Sequence, residues 1–200
     1  CNFGNLGNEN YACQVAYIND VTKSIIYNVN TGKYKIYENS WVNLVEGNSG
    51  INFVLEDMNT YEANLVNLSD YSTIKMPKNV YIVGNGVRLG QGDSYFSKSS
   101  KYIVVGNTSS MEATKYGLYD YSGNKKIDLI YDDLNTISDD LLIAKKGGKF
   151  GVIDSSNKTV IDFNYDGIEA IDDYYVVLKE GKLGVIDKDG KEVVPFNYSV

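Results

Sequence analysis

Short apolar segments separated by polar turns recur along this chain, and in its second half they recur with a regular period. Residues 131–164 contain four such segments, at 134–137, 141–145, 150–153 and 159–163, and residues 165–197 repeat them at 168–171, 174–178, 183–186 and 192–196. Apolar segments of this length bounded by Gly, Asn and Asp are typical of β-strands. Four strands in about 33 residues match the size of one β-propeller blade.

Two kinds of tight turn join these segments. The third and fourth segments are separated by DSSNK at 154–158 and by DKDGK at 187–191. This pattern predicts a type I turn that ends in a left-handed residue, at Asn157 and Gly190, and therefore an antiparallel hairpin. The second and third segments are separated by Gly147-Gly148 and by Glu180-Gly181, which predict a second tight turn.

Before residue 131 the same pattern is weaker but continuous. Its apolar segments lie at 14–18, 24–27, 34–37, 41–44, 52–55, 62–66, 72–76, 80–83, 87–89, 102–105 and 116–119. Together they predict about five divergent four-stranded units, the first of them without its opening strand. The predicted fold is an all-β, β-propeller-like repeat protein, and an open solenoid of hairpins fits the same pattern.

The repeat also defines the expected domain organisation. Residues 11–200 are predicted to form one all-β repeat domain, in which the clearest repeats are 101–130, 131–164 and 165–197. Residues 1–10 are polar and rich in Gly and Asn, so we expect them to form an N-terminal tether.

A six-residue motif marks the period: lysine, a bulky residue, glycine, two apolar residues and aspartate. Its glycines are 34 and then 33 residues apart. The motif residues are Tyr116, Gly117 and Asp120 in the first copy, Phe150, Gly151 and Asp154 in the second, and Leu183, Gly184 and Asp187 in the third. Glycine allows a neighbouring strand to approach the bare backbone, against which the bulky side chain can lie. We therefore interpret these residues as structural.

This motif, the turn after it and the lysine-led strand that ends at 194–198 resemble the bacterial WG repeat, also called the KWG repeat. The resemblance is good over 149–164 and 182–197 and fair over 115–130. Tyr116, Phe150 and Leu183 stand where the family usually has tryptophan. Proteins of this family are commonly secreted or envelope-associated, so the resemblance implies a binding or scaffolding module with a protein or glycan partner, and no reaction.

The first residue suggests a location. The chain begins with Cys1 and a polar stretch, which resembles the mature end of a bacterial lipoprotein whose cysteine carries the lipid. This resemblance implies an extracytoplasmic protein, cell-surface or secreted, that reaches the membrane only through an anchor at Cys1. Two other interpretations are a disulfide between Cys1 and Cys13 and a fragment boundary at Cys1.

Composition excludes several functions. The net charge is −7 and Arg88 is the only arginine, which argues against nucleic-acid binding because phosphate contacts need clustered cations. The chain has no histidine, which excludes Ser-His-Asp and Cys-His catalysis and the HExxH zinc site. Two cysteines without histidine are too few for structural zinc. We expect no catalytic residue, no metal site and no cofactor.

Carboxylates and tyrosines keep two further hypotheses open. Adjacent carboxylates lie at 132–133, 139–140 and 172–173, in predicted turns, where repeated use favours turn-making. A carboxylate-dependent glycoside hydrolase on a propeller-like fold is the alternative, and it needs two carboxylates about 5 to 9.5 Å apart in a cleft. The 18 tyrosines fit cross-strand packing, and on a concave face they could also stack on sugars.

Overall fold

The chain folds entirely into β-structure in the part that the structure describes. The computed structural model describes residues 2–7, 10–18, 21–44, 51–57, 62–67, 69–83, 99–107 and 114–199. These residues form twenty strands in five four-stranded antiparallel sheets. Within each sheet every strand pairs with its neighbours in chain order. The prediction of an all-β, β-propeller-like repeat with about five four-stranded units is confirmed.

The strands of the first three sheets come from residues 2–131. The first sheet contains β1 (Asn2–Gly7), β2 (Asn10–Ile18), β3 (Val21–Asn28) and β4 (Tyr34–Glu38). The second contains β5 (Ser40–Leu44), β6 (Ile51–Asp57), β7 (Ala63–Asn67) and β8 (Thr73–Lys75). The third contains β9 (Val80–Ile82), β10 (Tyr102–Asn107), β11 (Tyr116–Asp120) and β12 (Lys125–Tyr131).

The last two sheets are the two clearest repeats. The fourth sheet contains β13 (Asp133–Thr136), β14 (Leu141–Lys146), β15 (Lys149–Asp154) and β16 (Thr159–Tyr165). The fifth contains β17 (Gly167–Ile171), β18 (Tyr174–Lys179), β19 (Lys182–Asp187) and β20 (Glu192–Ser199). Each predicted segment of these two repeats coincides with one strand.

The beginning of the chain differs from its prediction. Residues 2–7, which we expected to lie in a tether, form strand β1 and pair with β2 in antiparallel register. The first unit therefore has the opening strand that the apolar pattern did not show. Backbone groups form the ladder, so a strand rich in Gly and Asn can complete a sheet without an apolar signal. Cys1 and the predicted strand at 87–89 lie outside the described residues.

The predicted hairpin turns follow the motif aspartates. Asn157 and Gly190 have φ values of +71° and +81°, and a non-glycine side chain other than Asn or Asp is disfavoured there. The Asn157 N–H donates to the Asp154 carbonyl at 2.9 Å, which closes a type I turn. The chain therefore reverses between the third and fourth strands as the sequence predicted.

Consecutive sheets pack face to face, and the core lies between them. We call the face that meets the next sheet the back face and the face that meets the preceding sheet the front face. The third and fourth sheets bury Val104, Leu118, Ile127 and Tyr131 against Leu134, Leu142, Ala144 and Ile153. The fourth and fifth bury Ile143, Val152 and Ile161 against Tyr175, Val177 and Ile186. Among the described strands, the extended contacts between sheets join only neighbours in chain order.

No described residue belongs to a helix that is long and apolar enough to cross a bilayer.

Candidate binding surface

The motif glycines lie where the third strand of a sheet touches the fourth. A Cβ added at Gly151 would lie 2.6 Å from the Ile161 carbonyl oxygen, and one at Gly117 would lie 2.6 Å from that of Ile127. At Gly184 the nearest atoms belong instead to the Phe196 ring, at 2.9 Å. The ladder skips residues at each of these points, so the fourth strand bends over the glycine. These glycines therefore permit a close backbone approach.

The bulky motif residues lie beside these glycines. Tyr116 packs between the third and fourth sheets and Phe150 packs between the fourth and fifth. Leu183, the third member of the series, is 37% exposed because no described sheet lies over it. All three bulky motif residues therefore lie on the back face of their sheets.

The motif aspartates hold the hairpin turns. Asp154 Oδ1 accepts hydrogen bonds from the backbone N–H groups of Ser156 and Lys158, each at 2.9 Å, and Asp187 Oδ1 binds the equivalent groups of the next repeat. The Ser156 hydroxyl and the Lys158 N–H lower the pKa of the Asp154 carboxyl, because they stabilise its charged form. These carboxylates are therefore used as hydrogen-bond acceptors within the turns.

A repeated ion pair lies at the junction of the third and fourth sheets and at that of the fourth and fifth. Lys149 Nζ donates to Asp166 Oδ1 at 2.5 Å, and Lys115 makes the same bond to Asp132 one repeat earlier. The second oxygen of Asp166 accepts the Glu180 N–H at 2.8 Å. The lysine ammonium groups lower the pKa of both aspartates. We call this arrangement the Lys–Asp latch.

Sequence reasoning missed the latch, although its signal is present. Both lysine–aspartate pairs are separated by 17 residues, and the aspartate follows a repeated tyrosine, Tyr131 or Tyr165. After the third motif lysine, Lys182, the equivalent position is Ser199. Ser199 cannot form this ion pair, so the last latch is missing from the described residues.

The adjacent carboxylates of the glycosidase alternative make structural contacts. Asp139 accepts from the backbone N–H of Ser100 at 2.5 Å and from the hydroxyls of Ser99 and Ser100. Asp133 Oδ1 accepts from its neighbour's backbone N–H at 2.9 Å, and Asp173 pairs with Lys188 at 2.5 Å.

The pKa shifts of the described carboxyls do not match those of a general acid. The pKa lies below the ordinary aspartate value at six carboxyls: Asp70, Asp120, Asp132, Asp139, Asp154 and Asp166. A glycosidase general acid needs a raised pKa so that it stays protonated near neutral pH. Within the described ranges no cluster of acidic or cysteine side chains could hold a metal ion.

The back face of the fifth sheet is mainly apolar, with Glu169 opposite Val176 and Asp187 opposite Tyr174, and no described sheet covers it. It carries half-buried Val176, Val185 and Val194 at its centre. Around them lie exposed side chains: Ile171, Tyr174, Leu183 and Tyr198, the last of which is 64% exposed. Residues that are opposite each other in the ladder share a face, and Leu183 is opposite Tyr198. We call this surface the terminal back face.

A second mainly apolar surface, which no described sheet covers, lies on the first sheet beside the Lys23–Glu38 ion pair. Ile25 is opposite Ile36 and Tyr27 is opposite Tyr34 in the ladder of β3 and β4. Tyr27, Tyr34 and Ile36 are exposed, and Tyr34 is 64% exposed. The alternate residues of β3, Ser24 and Ile26, are buried toward the second sheet, where the Ser24 hydroxyl donates to the Ser40 carbonyl at 2.7 Å. We call this surface the terminal front face.

Comparison with known families identifies the repeat. Residues 116–150, 150–182 and 184–200 match the model of the WG containing repeat in three consecutive segments. The first two matches each run from the third strand of one sheet to the third strand of the next. Each of these matches therefore includes a junction between two sheets. No curated protein matches this chain.

Solved structures give more distant matches. The β-propeller domain of the Trilobed protease from Pyrococcus furiosus is 12% identical, with a TM-score of 0.32 and coverage of 95% of this chain and 96% of that domain. The acylaminoacyl peptidase of Pyrococcus horikoshii is 14% identical, with a TM-score of 0.32 and coverage of 96% of this chain. The match spans 46% of the length of that peptidase chain.

Proposed function

We propose that this chain is a non-catalytic binding module that engages a partner through the apolar terminal faces of its row of sheets. The observation that supports this most directly is the exposure of Tyr174, Leu183 and Tyr198 together on one sheet face. A large contiguous apolar patch is uncommon on a monomeric protein unless it is a binding site. Aromatic residues in such a patch are typical of the buried centre of an interface.

A protein is the partner that these faces fit best. Both faces combine aliphatic with aromatic side chains, and the described sheets pack on each other through the same kind of face. A sugar ring would need polar groups beside an exposed tyrosine to bind its hydroxyls. Asp187 is opposite Tyr174 on the terminal back face, but its Oδ1 accepts hydrogen bonds from the hairpin turn. The centre of the face carries valines, and glycans are therefore the second class to test.

The proposal does not include catalysis. The lowered pKa values of the aspartates and their engagement in turns and latches support a structural use of these groups. The proposal does include an extracytoplasmic location at a bacterial envelope, for which the support is the match to the WG containing repeat. Mass spectrometry of the native protein tests the expected lipid anchor, since lipidation adds a diacylglycerol group to Cys1.

The experiment that tests the binding function uses envelope proteins and a glycan array in parallel. Proteins captured from an envelope extract are identified, purified and titrated against the chain, and glycan hits are titrated in the same way. Tyr198→Lys and Leu183→Lys place a charge on the terminal back face, and we expect each to weaken binding at least about tenfold. Val160→Lys is the matched control, because Val160 is also an exposed apolar residue but lies on the fourth sheet.

The outcomes of this experiment are distinct. Saturable binding that falls with the back-face variants and persists with the control supports the function. Absence of saturable binding, or binding that all variants retain, contradicts it. Release of reducing sugar from a glycan by the purified chain would contradict the binding function and support the glycoside hydrolase alternative.

A further inference from the structure

We propose that one edge of the last two sheets contacts the surface of a membrane that contains anionic lipids. The contact is made by lysines that flank the turns between the second and third strands. This inference goes beyond the proposed function, because it concerns a different surface and a different class of partner. Its basis is a pair of opposed lysines that two consecutive repeats share.

Each of the last two sheets has two lysines directly opposite each other beside its second turn. Lys146 is opposite Lys149 in the fourth sheet, and Lys179 is opposite Lys182 in the fifth. All four residues are exposed. Like charges at directly opposite positions of a ladder destabilise a sheet. Packing therefore does not account for the repeated pair, and a bound anionic group would remove its cost.

The latch carboxylates hold these turns side by side. Asp166 Oδ1 accepts from Lys149 Nζ at 2.5 Å, and Asp166 Oδ2 accepts from the Glu180 N–H at 2.8 Å. One carboxylate therefore joins the turn of the fourth sheet to the turn of the fifth. Asp132 makes the same kind of connection between Lys115 of the third sheet and the turn of the fourth. The turns thus lie along one edge, which we call the cationic edge.

The latch engages only part of the positive charge of this edge. Lys146 lies over the Tyr131 ring at 5.9 Å, and neither Lys179 nor Lys182 forms an ion pair with a carboxylate of the described residues. The chain as a whole has a net charge of −7. The cationic edge has a net charge of +2, from six lysines and four carboxylates: Lys115, Lys145, Lys146, Lys149, Lys179 and Lys182 against Asp132, Asp133, Asp166 and Glu180.

The opposite edge of the same two sheets is acidic. Its turns carry seven aspartates and three lysines: Asp139, Asp140, Asp154, Asp172, Asp173, Asp187 and Asp189 with Lys158, Lys188 and Lys191. Strand β15 has six residues, so the two edges are about 20 Å apart, about twice the screening length of about 10 Å at 0.1 M salt. A negatively charged surface therefore attracts the cationic edge and is little affected by the acidic one.

A lipid surface fits the shape of this edge. The lysines flank two-residue turns at the ends of hairpins, and consecutive packed sheets are about 10 Å apart. Such a convex row brings several ammonium groups to a flat surface at once, whereas small-molecule and peptide sites are clefts or grooves. Each lysine close to an anionic bilayer strengthens the attraction, so no shaped pocket is required.

Two matched triple variants test the inference. The first combines Lys146→Gln, Lys179→Gln and Lys182→Gln, which removes three charges from the cationic edge and leaves the latch intact. The control removes three charges from exposed lysines between third and fourth strands: Lys33, Lys158 and Lys191, each replaced by Gln. Both variants have the same net charge. The chain is produced without lipid at Cys1, so that an anchor cannot contribute.

Binding is measured by sedimentation with vesicles of equal parts phosphatidylglycerol and phosphatidylcholine, with pure phosphatidylcholine vesicles as the reference. We expect the unmodified chain to bind only the anionic vesicles and to lose this binding between about 50 and about 500 mM salt. The cationic-edge variant should bind at least about 30-fold more weakly, because each lysine near an anionic surface changes binding about fivefold. The control variant should bind like the unmodified chain.

The other outcomes overturn the inference. Absence of binding to anionic vesicles, equal binding to both kinds of vesicle, or equal losses in both triple variants would each contradict it. Binding of soluble inorganic polyphosphate without binding of vesicles would make the partner a soluble polyanion. Loss of a captured acidic protein in the cationic-edge variant, without vesicle binding, would make it a protein. The proposed function is tested by variants of the terminal back face, so either proposal can fail while the other stands.

Discussion

The fourth and fifth sheets have closely similar sequences but differ in how much of their back faces they bury. Val152 of the fourth sheet is fully buried against the fifth, whereas Val185, at the same position of the next repeat, is half-buried. Phe150 packs into the junction while Leu183 is exposed. The apolar pattern of the repeat therefore encodes a sheet that can be covered on both faces. Whether the second face is covered depends on the neighbour and not on the sheet.

The motif glycines should show the largest difference between the two sheets. Gly151→Ala places a Cβ 2.6 Å from a backbone oxygen, whereas Gly184→Ala places one 2.9 Å from the Phe196 ring and 3.0 Å from the Val194 carbonyl oxygen. Because a backbone clash relaxes less than a side-chain clash, we expect a loss of about 3 kcal/mol in the free energy of unfolding at Gly151 and about 1 at Gly184. Urea unfolding measures both. Equal losses would mean that the fourth strands of the two sheets approach their glycines in the same way.

The central valines should give the next largest difference. Val152→Ala removes two buried methyl groups and leaves a cavity in a closed junction, so we expect a loss of about 2 kcal/mol. Val185→Ala removes the same atoms from a half-exposed face and should cost less than about 1 kcal/mol in dilute solution.

A protein partner sharpens this valine comparison. If such a partner covers the terminal back face, the cost of Val185→Ala in thermal unfolding should increase as the partner is added, and that of Val152→Ala should not. A cost for Val185→Ala that equals the Val152 value without any partner would show that the face is already covered within one molecule.

The Lys–Asp latch should give the smallest effect. Both side chains of the Lys149–Asp166 pair are more than a third exposed, so Asp166→Asn should lower the urea midpoint only slightly at pH 7. The pKa of Asp166 is lowered in the folded state, so its contribution is complete above the ordinary aspartate pKa of about 3.9. It disappears as the pH falls through the lowered value.

A comparison between lysines provides the control for the latch. Lys149→Ala should act like Asp166→Asn and lose its effect in acid, whereas Lys182→Ala should leave the midpoint unchanged, because Ser199 stands where the aspartate would be. We expect the difference in urea midpoint between Asp166→Asn and the unmodified chain to shrink as the pH falls below about 4. A difference that grows there would contradict the prediction.

Much of the fold could be predicted from the sequence because the last two repeats align almost from end to end. Their strands, the left-handed Asn157 and Gly190 and the number of four-stranded units all followed from apolar segments and turn residues. Strand β1 could not be predicted in this way, because Asn2–Gly7 pairs through its backbone and has a composition typical of a loop.

The candidate surfaces could be predicted less well from the sequence. Val185 and Val152 are the same residue in the same motif, so no local pattern distinguishes an exposed position from a buried one. Tyr34 and Tyr198 are two of 18 tyrosines, and only their position in the first and last sheets sets them apart. The latch was predictable in principle from its constant spacing of 17 residues.

Every described strand pairs with its neighbours in the chain, and this also determines how the molecule should fold and how it should unfold under force. Most ladders close short loops, the pairing of β9 with β10 being the longest, so a sheet can form before the rest of the chain is ordered. Folding should therefore start in any well-matched repeat and extend along the row, as in other linear arrays. A molecule pulled by its ends should release its sheets in successive steps of similar length, which single-molecule extension would record as a sawtooth.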